Sequence, residues 1–445
     1  MSIHSRNFCL SVLLLVIFIL PACASFNAPP LIKATDQGLD DRVRQLLAEG
    51  KDVNMTTGSG ASALLIAAAG GHREIAEYLI DQGADVDATV TKTFEKDGRT
   101  FFAGTTPLLA ALGHKHPEVG HMLIQNGADV NKSDINGTTP LFAAAQNDAE
   151  IVAILLQAGA NANTAITQRH VREGKTVYKG TTPLMAALAK GKRKAARSIM
   201  DAGVDVTVRN EVGNRALIIA AAHGTPGLLW KLLVKGAERN TAVTEDFKSF
   251  TMGDRMVFEG CSPLMAAAYA GKSANVKLLI DVGADLNAKN RIGWTPLMAA
   301  ASEGDLASVT LLVEKGAEVN AKTTEKFEKP GGIEIFHGAP LIIPKGWSPI
   351  ASASYNGHAA VVQYLIDHGA DISIKDDKWR MDPLFLGAYR GHLDVVKVLL
   401  ANGADPFALS KRGTAYNCAK IQDKRKILEC IKEARQRVKE EEGGE

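Results

Sequence analysis

Apolar residues along this chain fall into short paired blocks separated by polar, glycine-containing turns. A compact Ala-rich block such as Pro140-Leu141-Phe142-Ala143-Ala144-Ala145 comes first, and a block with a 3.6-residue period follows, as in Val395, Val396, Val398, Leu399 and Leu400. The pattern predicts two short helices per unit, the second burying one face. Turns such as Gly357-His358 and Gly391-His392 reverse the chain between them. Thr-Pro or a variant opens the first helix, because the hydroxyl accepts from an orphan N–H while proline at the first helical position sacrifices no hydrogen bond. The second helix stops at the Gly of Gly-Ala-Asp, which suits a left-handed C-terminal cap.

These signals repeat. The Gly of Gly-Ala-Asp or a near variant stands at 50, 83, 127, 159, 203, 236, 283, 316, 369 and 403. The Pro of Thr-Pro-Leu or a variant stands at 107, 140, 183, 263, 296, 349 and 383, with Pro30, Ala63, Ala216 and Ala415 in the same register. Glycine intervals of 32–34 alternate with intervals of 44, 44, 47 and 53, so alternate 33-residue units carry an insertion, of roughly 11 to 20 residues. Each insertion reads as a β-hairpin. The first runs Thr89 to Phe94, turns at Asp97-Gly98 and returns through Arg99-Thr100-Phe101-Phe102, and the second has Glu173-Gly174 at its tip. Gly253 and Gly331-Gly332 mark the later two turns less sharply. One column of these fingers holds Phe94, His170, Phe247 and Phe327, and another holds Phe102, Tyr178, Phe258 and Pro344. They either brace each hairpin across its strands or present an apolar ladder to a partner. With helices 8–10 Å apart, fingers on alternate units are expected roughly 20 Å from one another.

The repeat changes what length implies: 445 residues would suggest about three domains, and one solenoid replaces them. A net charge of +2, from 51 basic against 49 acidic residues, argues against nucleic acid as a partner. Five cysteines are too few for a disulfide-stapled scaffold.

Residues 1–22 read as a leader. His4 and Arg6 precede a 13-residue apolar run from Phe8 to Leu20, short for a membrane helix and right for a signal peptide. It ends in Leu20-Pro21-Ala22-Cys23, which resembles a bacterial lipobox, with Pro21 the departure. The resemblance implies lipidation at Cys23 and, with Ala24-Ser25 following, outer-membrane placement facing the periplasm. Alternatively Ala22-Cys23-Ala24 is an A-x-A cleavage site that releases a soluble periplasmic protein.

Gly104-Thr105-Thr106-Pro107-Leu108, Gly137-Thr138-Thr139-Pro140-Leu141, Gly180-Thr181-Thr182-Pro183-Leu184 and Gly293-Trp294-Thr295-Pro296-Leu297 resemble the ankyrin repeat, over about residues 30–434. The resemblance implies an all-α repeat solenoid of helix-turn-helix units with β-hairpin insertions on alternate repeats, recognising another protein on its concave face. We expect a linker at 23–29, about ten repeats over 30–412, capping helices over 413–439 and an acidic tail over 440–445. One departure stands out. The family places His after Thr-Pro-Leu to tie adjacent repeats, whereas this chain has Leu109, Phe142, Met185, Met265, Met298 and Phe385, so apolar packing replaces that network. Two columns on the expected concave face turn aromatic toward the C-terminus, giving Tyr269, Trp294, Trp347, Tyr355 and Tyr389. Such residues concentrate binding energy when exposed, so they form the candidate contact patch together with Phe94, Phe247 and Phe327; the alternative is that they cover the junction of helix and hairpin.

No phosphate loop, nucleophile elbow or paired-cysteine metal motif is present, so neither catalysis nor a cofactor is expected. His114, His116 and His121 form the densest histidine cluster, but His116 falls in a turn slot and His121 on an outward helix position, which argues against a shared metal. Cys418 and Cys430 fall on apolar slots of the last helix pair and are expected as free thiols, a disulfide being the alternative. The composite expectation is a monomeric, non-enzymatic envelope protein that scaffolds, escorts or inhibits a protein partner and touches the membrane only through its lipid. A structural bridge between outer membrane and cell wall is the alternative.

Overall fold

The computed structural model describes residues 28–172, 175–249, 255–257, 259–328, 334–336, 339–340 and 342–442. Cys23 and the leader lie outside them, as do Phe258 and the finger-tip glycines Gly174, Gly253 and Gly331-Gly332.

Among the described residues, twenty-two helices form eleven antiparallel pairs between Pro30 and Glu442. Inner helices span six to eight residues, and outer helices span nine up to Leu393–Ala401. Local chemistry sets their ends. Thr106, Thr139, Thr182, Ser262, Thr295 and Ser348 each accept the backbone N–H three residues on, with proline next in line. Asp382 does the same for the inner helix Pro383–Arg390, whereas Arg215 leaves Ala216–His223 without a side-chain cap. Gly83, Gly127, Gly369 and Gly403 close outer helices at φ of 86, 85, 85 and 84°, conformations that carry no Cβ penalty at glycine.

The core runs the length of the stack. Alanines such as Ala67, Ala68, Ala220 and Ala221 are fully buried between inner helices, where small side chains let the backbones approach. Leu109, Phe142, Met185, Met265, Met298 and Phe385 are all at most 4% exposed, so the apolar replacement of the family's histidine is realised as packing.

Hydrogen bonding between repeats has not disappeared; it has moved. In the turn slot, His358 Nε2 lies 3.0 Å from the Ser302 carbonyl and His392 Nε2 lies 3.0 Å from the Tyr355 carbonyl, each in the preceding repeat. Gly304 (φ 71°) and Gly357 (φ 86°) make room, since a Cβ there would come within 2.4 and 2.6 Å of the next imidazole. On the opposite edge, Asn54, Asn131 and Asn320 each donate to the Gly carbonyl that ends the next outer helix (Gly83, Gly159, Gly369) and accept an N–H beyond it.

The last pair, Ala415–Ile421 and Arg425–Glu442, packs on the preceding helices Pro383–Arg390 and Leu393–Ala401 at the end of the stack. Its outer helix runs through Glu440–Glu442, the start of the expected acidic tail, and Arg435 ties the helix to the preceding loop. That guanidinium donates to the Pro406 carbonyl and Thr414 Oγ1 and stacks on Phe407 and Tyr416. Residues 443–445 lie outside the described residues.

All four insertions contain antiparallel strands. In the first finger, Phe94–Lys96 pairs with Arg99–Phe101. Asp97 (φ 52°) and Gly98 (φ 71°) are both left-handed, the two-residue turn expected for a twisted hairpin. This turn pairs Phe94 with Phe101, so Phe102 is not its cross-strand partner. The later fingers repeat the offset, with His170 opposite Val177, Phe247 opposite Val257 and Phe327 opposite Ile343. The fourth insertion also holds a second pairing, Glu334–Phe336 with Ala339–Pro340. The expected 20 Å separation fails between the first two fingers: Phe102 meets His170 edge to face at 5.5 Å.

Candidate functional site

The aromatic patch is not displayed. Trp294 and Trp347 are 3 and 7% exposed, so neither can anchor a partner as the columns suggested. The Trp347 indole N–H donates to Ser352 Oγ at 2.9 Å and its ring meets Tyr355 edge to face. Trp294 stacks with Tyr269, and Tyr389 with Phe385. The three tyrosines are half-buried. The residues therefore cover the junction between hairpin and inner helix, because that slot precedes the helix cap and the following inner helix closes over it. Trp294 differs in one respect: its Nε1 is buried without a hydrogen-bond partner among the described residues. Five residues on, Ala299 occupies the place that Ser352 holds for Trp347. Ala299→Ser is expected to stabilise the chain by about 1 kcal/mol in denaturant melts by supplying the missing acceptor.

Phe94 is half-buried and stacks on buried Phe101 at 4.8 Å, which braces the first finger instead of presenting it. Phe247 and Phe327 are placed in strands, without a described side-chain environment.

The first two fingers lean toward the N-terminus over the inner helices. Lys96 Nζ reaches Asp36 Oδ1 at 2.5 Å, Arg99 donates to the Ala69 carbonyl, and Phe101 lies edge to face on His114. Burial, with the Arg99, Arg172 and His116 charges, holds His114 down at about 4, and its Nδ1 has no partner among the described residues. His223 and His392 are also lowered, chiefly by burial. All three resist protonation in the fold, while the unfolded chain takes up protons near pH 6.5. Stability is therefore complete above that pH and declines as pH falls toward 4. Urea melts across this window are expected to show the decline, and His114→Gln should flatten part of it. His116 precedes the helix Pro117–Gln125 without capping it through its side chain, and His121 is exposed on that helix; among the described residues the three histidines are not grouped to hold a metal.

Beneath the second finger the concave face opens into a cleft of about 170 Å³. Its floor is Phe142, Met185 and Ala186, with Val177 of the finger packed against the Phe142 and Ala186 cluster. Its rim carries Lys115, Arg172, Lys175 and Lys190. The cleft exists for two reasons. The inner helix Pro140–Ala145 is only six residues long, matching the shortened 32-residue interval between Gly127 and Gly159. The column that is tyrosine at 269, 355 and 389 is here Gly113, Gln146 and Ala189, with no aromatic ring to fill the space. Sequence reading followed the aromatic end of that column, whereas the opening lies at its small end.

A family model described as "Ankyrin repeats (3 copies)" matches residues 11–90, 31–134, 94–166, 217–323 and 333–409, well over half of the chain. The chain belongs to the ankyrin repeat family. It is also 28% identical over 158 residues to "Ankyrin repeat domain-containing protein SAT10" of Stachybotrys chartarum, a match that covers 35% of this chain and 7% of that protein. An ankyrin repeat solenoid is a protein-interaction module, and the paired helices with short hairpins described above fit that fold.

Among the described residues no helix is long and apolar enough to cross a membrane, and no group of three His, Cys, Asp or Glu side chains is placed to hold a metal. Cys261, Cys418 and Cys430 are free thiols, Cys430 only half-buried. Burial pushes the Cys261 thiol up to about 12, which makes it a poor nucleophile.

Proposed function

We propose that this ankyrin repeat protein is a non-enzymatic adaptor that binds one protein partner in the concave groove between its fingers and inner helices. The observation that carries the reading is the open cleft under the second finger. Its place in the cell rests on the leader: export, lipidation at Cys23 and an outer-membrane position facing the periplasm, with soluble periplasmic release after Ala24 as the other outcome. In that setting the adaptor scaffolds, escorts or restrains an exported protein. As a monomer it would touch the membrane through the lipid alone.

Site-specific photo-crosslinking in intact cells tests the partner. A photoreactive residue at Gln146 or Lys190, on the groove, is expected to give a discrete adduct, and one at Lys277, on an outer helix, is not. Adducts independent of position, or none from the groove, would overturn the reading. Retention with the wall fraction in place of a protein adduct would favour the structural-bridge alternative. Metabolic acyl labelling of the chain and of Cys23→Ala tests the anchor.

A further inference from the structure

The cleft under the second finger also restricts what can enter it. Four cationic side chains, Lys115, Arg172, Lys175 and Lys190, line it, and no described lining residue is acidic. In a chain with a net charge of only +2 this is a local excess of one sign, built around an apolar floor. The surroundings are not uniformly basic: Arg169 on the same finger is paired with Glu211 at 2.7 Å, and the adjoining cleft contains Asp148. On the wall, Asn214 presents a buried Oδ1 with no hydrogen-bond partner among the described residues, an acceptor suited to a peptide N–H.

We propose that this cleft binds an acidic, extended segment of the partner protein. One apolar side chain of that segment rests on Phe142 and Met185, and flanking carboxylates meet the cationic rim. The inference rests on the protein-binding reading above and specifies its ligand. A bare anion would leave the apolar floor unused, and a nucleic-acid backbone would likewise leave Phe142 and Met185 uncovered while meeting the Glu211 and Asp148 carboxylates beside the opening. Complementary charge would speed encounter and select register, while the buried side chain would supply most of the affinity.

The test is a random-peptide display selection on the full chain, followed by fluorescence anisotropy with the recovered peptides. Recovered peptides are expected to be acidic around one large apolar residue, and added salt should weaken their binding as screening grows. Lys175→Glu with Lys190→Glu should weaken binding on the order of tenfold or more. Lys277→Glu, on an outer helix, should not. Ala189→Tyr plugs the cleft with the side chain that Tyr269, Tyr355 and Tyr389 supply at the same position in other repeats. It should abolish binding while thermal unfolding stays as in the parent. Neutral or basic peptides, binding indifferent to these substitutions, or equal binding of a single-stranded oligonucleotide would overturn the proposal. A groove adduct that persists in cells with the Lys175 and Lys190 variant would overturn it while leaving the adaptor reading standing. Loss of every groove adduct from the parent chain would remove both.

Discussion

Trp347→Ala is expected to cost about 3–5 kcal/mol of stability, the range for truncating a large buried aromatic side chain. The indole is 7% exposed, donates to Ser352 Oγ, and sits where the fourth insertion returns to the inner helix Pro349–Asn356. Thr323 accepts the Trp347 backbone N–H at 2.9 Å, so the cavity would open beside a buried hydrogen-bonded hinge that resists collapse. Trp347→Phe should recover much of the packing and lose the hydrogen bond. The measurement is the denaturant midpoint of both variants with the parent as reference. A loss under 1 kcal/mol would mean the tryptophan is a displayed anchor after all.

Asn275→Leu is expected to destabilise by about 2–3 kcal/mol, even though the substitution looks conservative for its slot. The third residue of the outer helix is apolar in most repeats, as at Ile75, Val119, Ile151, Ala195, Leu228, Val361 and Val395, with Ser308 the other buried polar residue in the slot. Asn275 is 1% exposed there, and its Nδ2 lies 2.9 Å from the Ala221 carbonyl, with the Ala220 and Gly224 carbonyls at 3.4 and 3.3 Å. Those carbonyls end the helix Ala216–His223, whose capping Gly224 is extended (φ −76°) instead of left-handed. The amide from the next repeat thus performs the task that a left-handed glycine performs elsewhere. Leucine would fit the slot by volume and take the side-chain donor from the Ala221 and Gly224 carbonyls, while the Ala220 carbonyl keeps the Gly224 N–H; the added apolar area does not offset that loss. Equal urea midpoints for Asn275→Leu and the parent would show that the carbonyls find other partners.

The contrast between these two sites shows which parts of the chain can be read in isolation. Helix caps at Thr106, Thr139 and Thr295, the glycine stops and the Asp97-Gly98 turn are decided within three or four residues, so spacing alone locates them. The repeat register follows, because each unit buries its face only against another copy of the same pattern. Asn275 was visible as a polar residue in an apolar column, but its partners lie in the preceding repeat, more than fifty residues away.

The same distinction separates fold from site. By itself the sequence determined an ankyrin repeat solenoid with hairpins on alternate repeats, since caps, turns and periodic apolar faces are local interactions repeated in order. Only the tertiary structure decided which residues of each column meet solvent. Trp294 and Trp347 occupy a slot that packing by neighbouring helix and hairpin also buries at Thr105, Thr138 and Cys261, so the indoles are covered like the smaller residues of their column. The lean of the second finger, the short helix Pro140–Ala145 and the small side chains of Gly113 and Ala189 together leave a cleft that none of them specifies alone. A cavity is what remains between packed surfaces, and it depends on the relative placement of several repeats rather than on the pattern within any one.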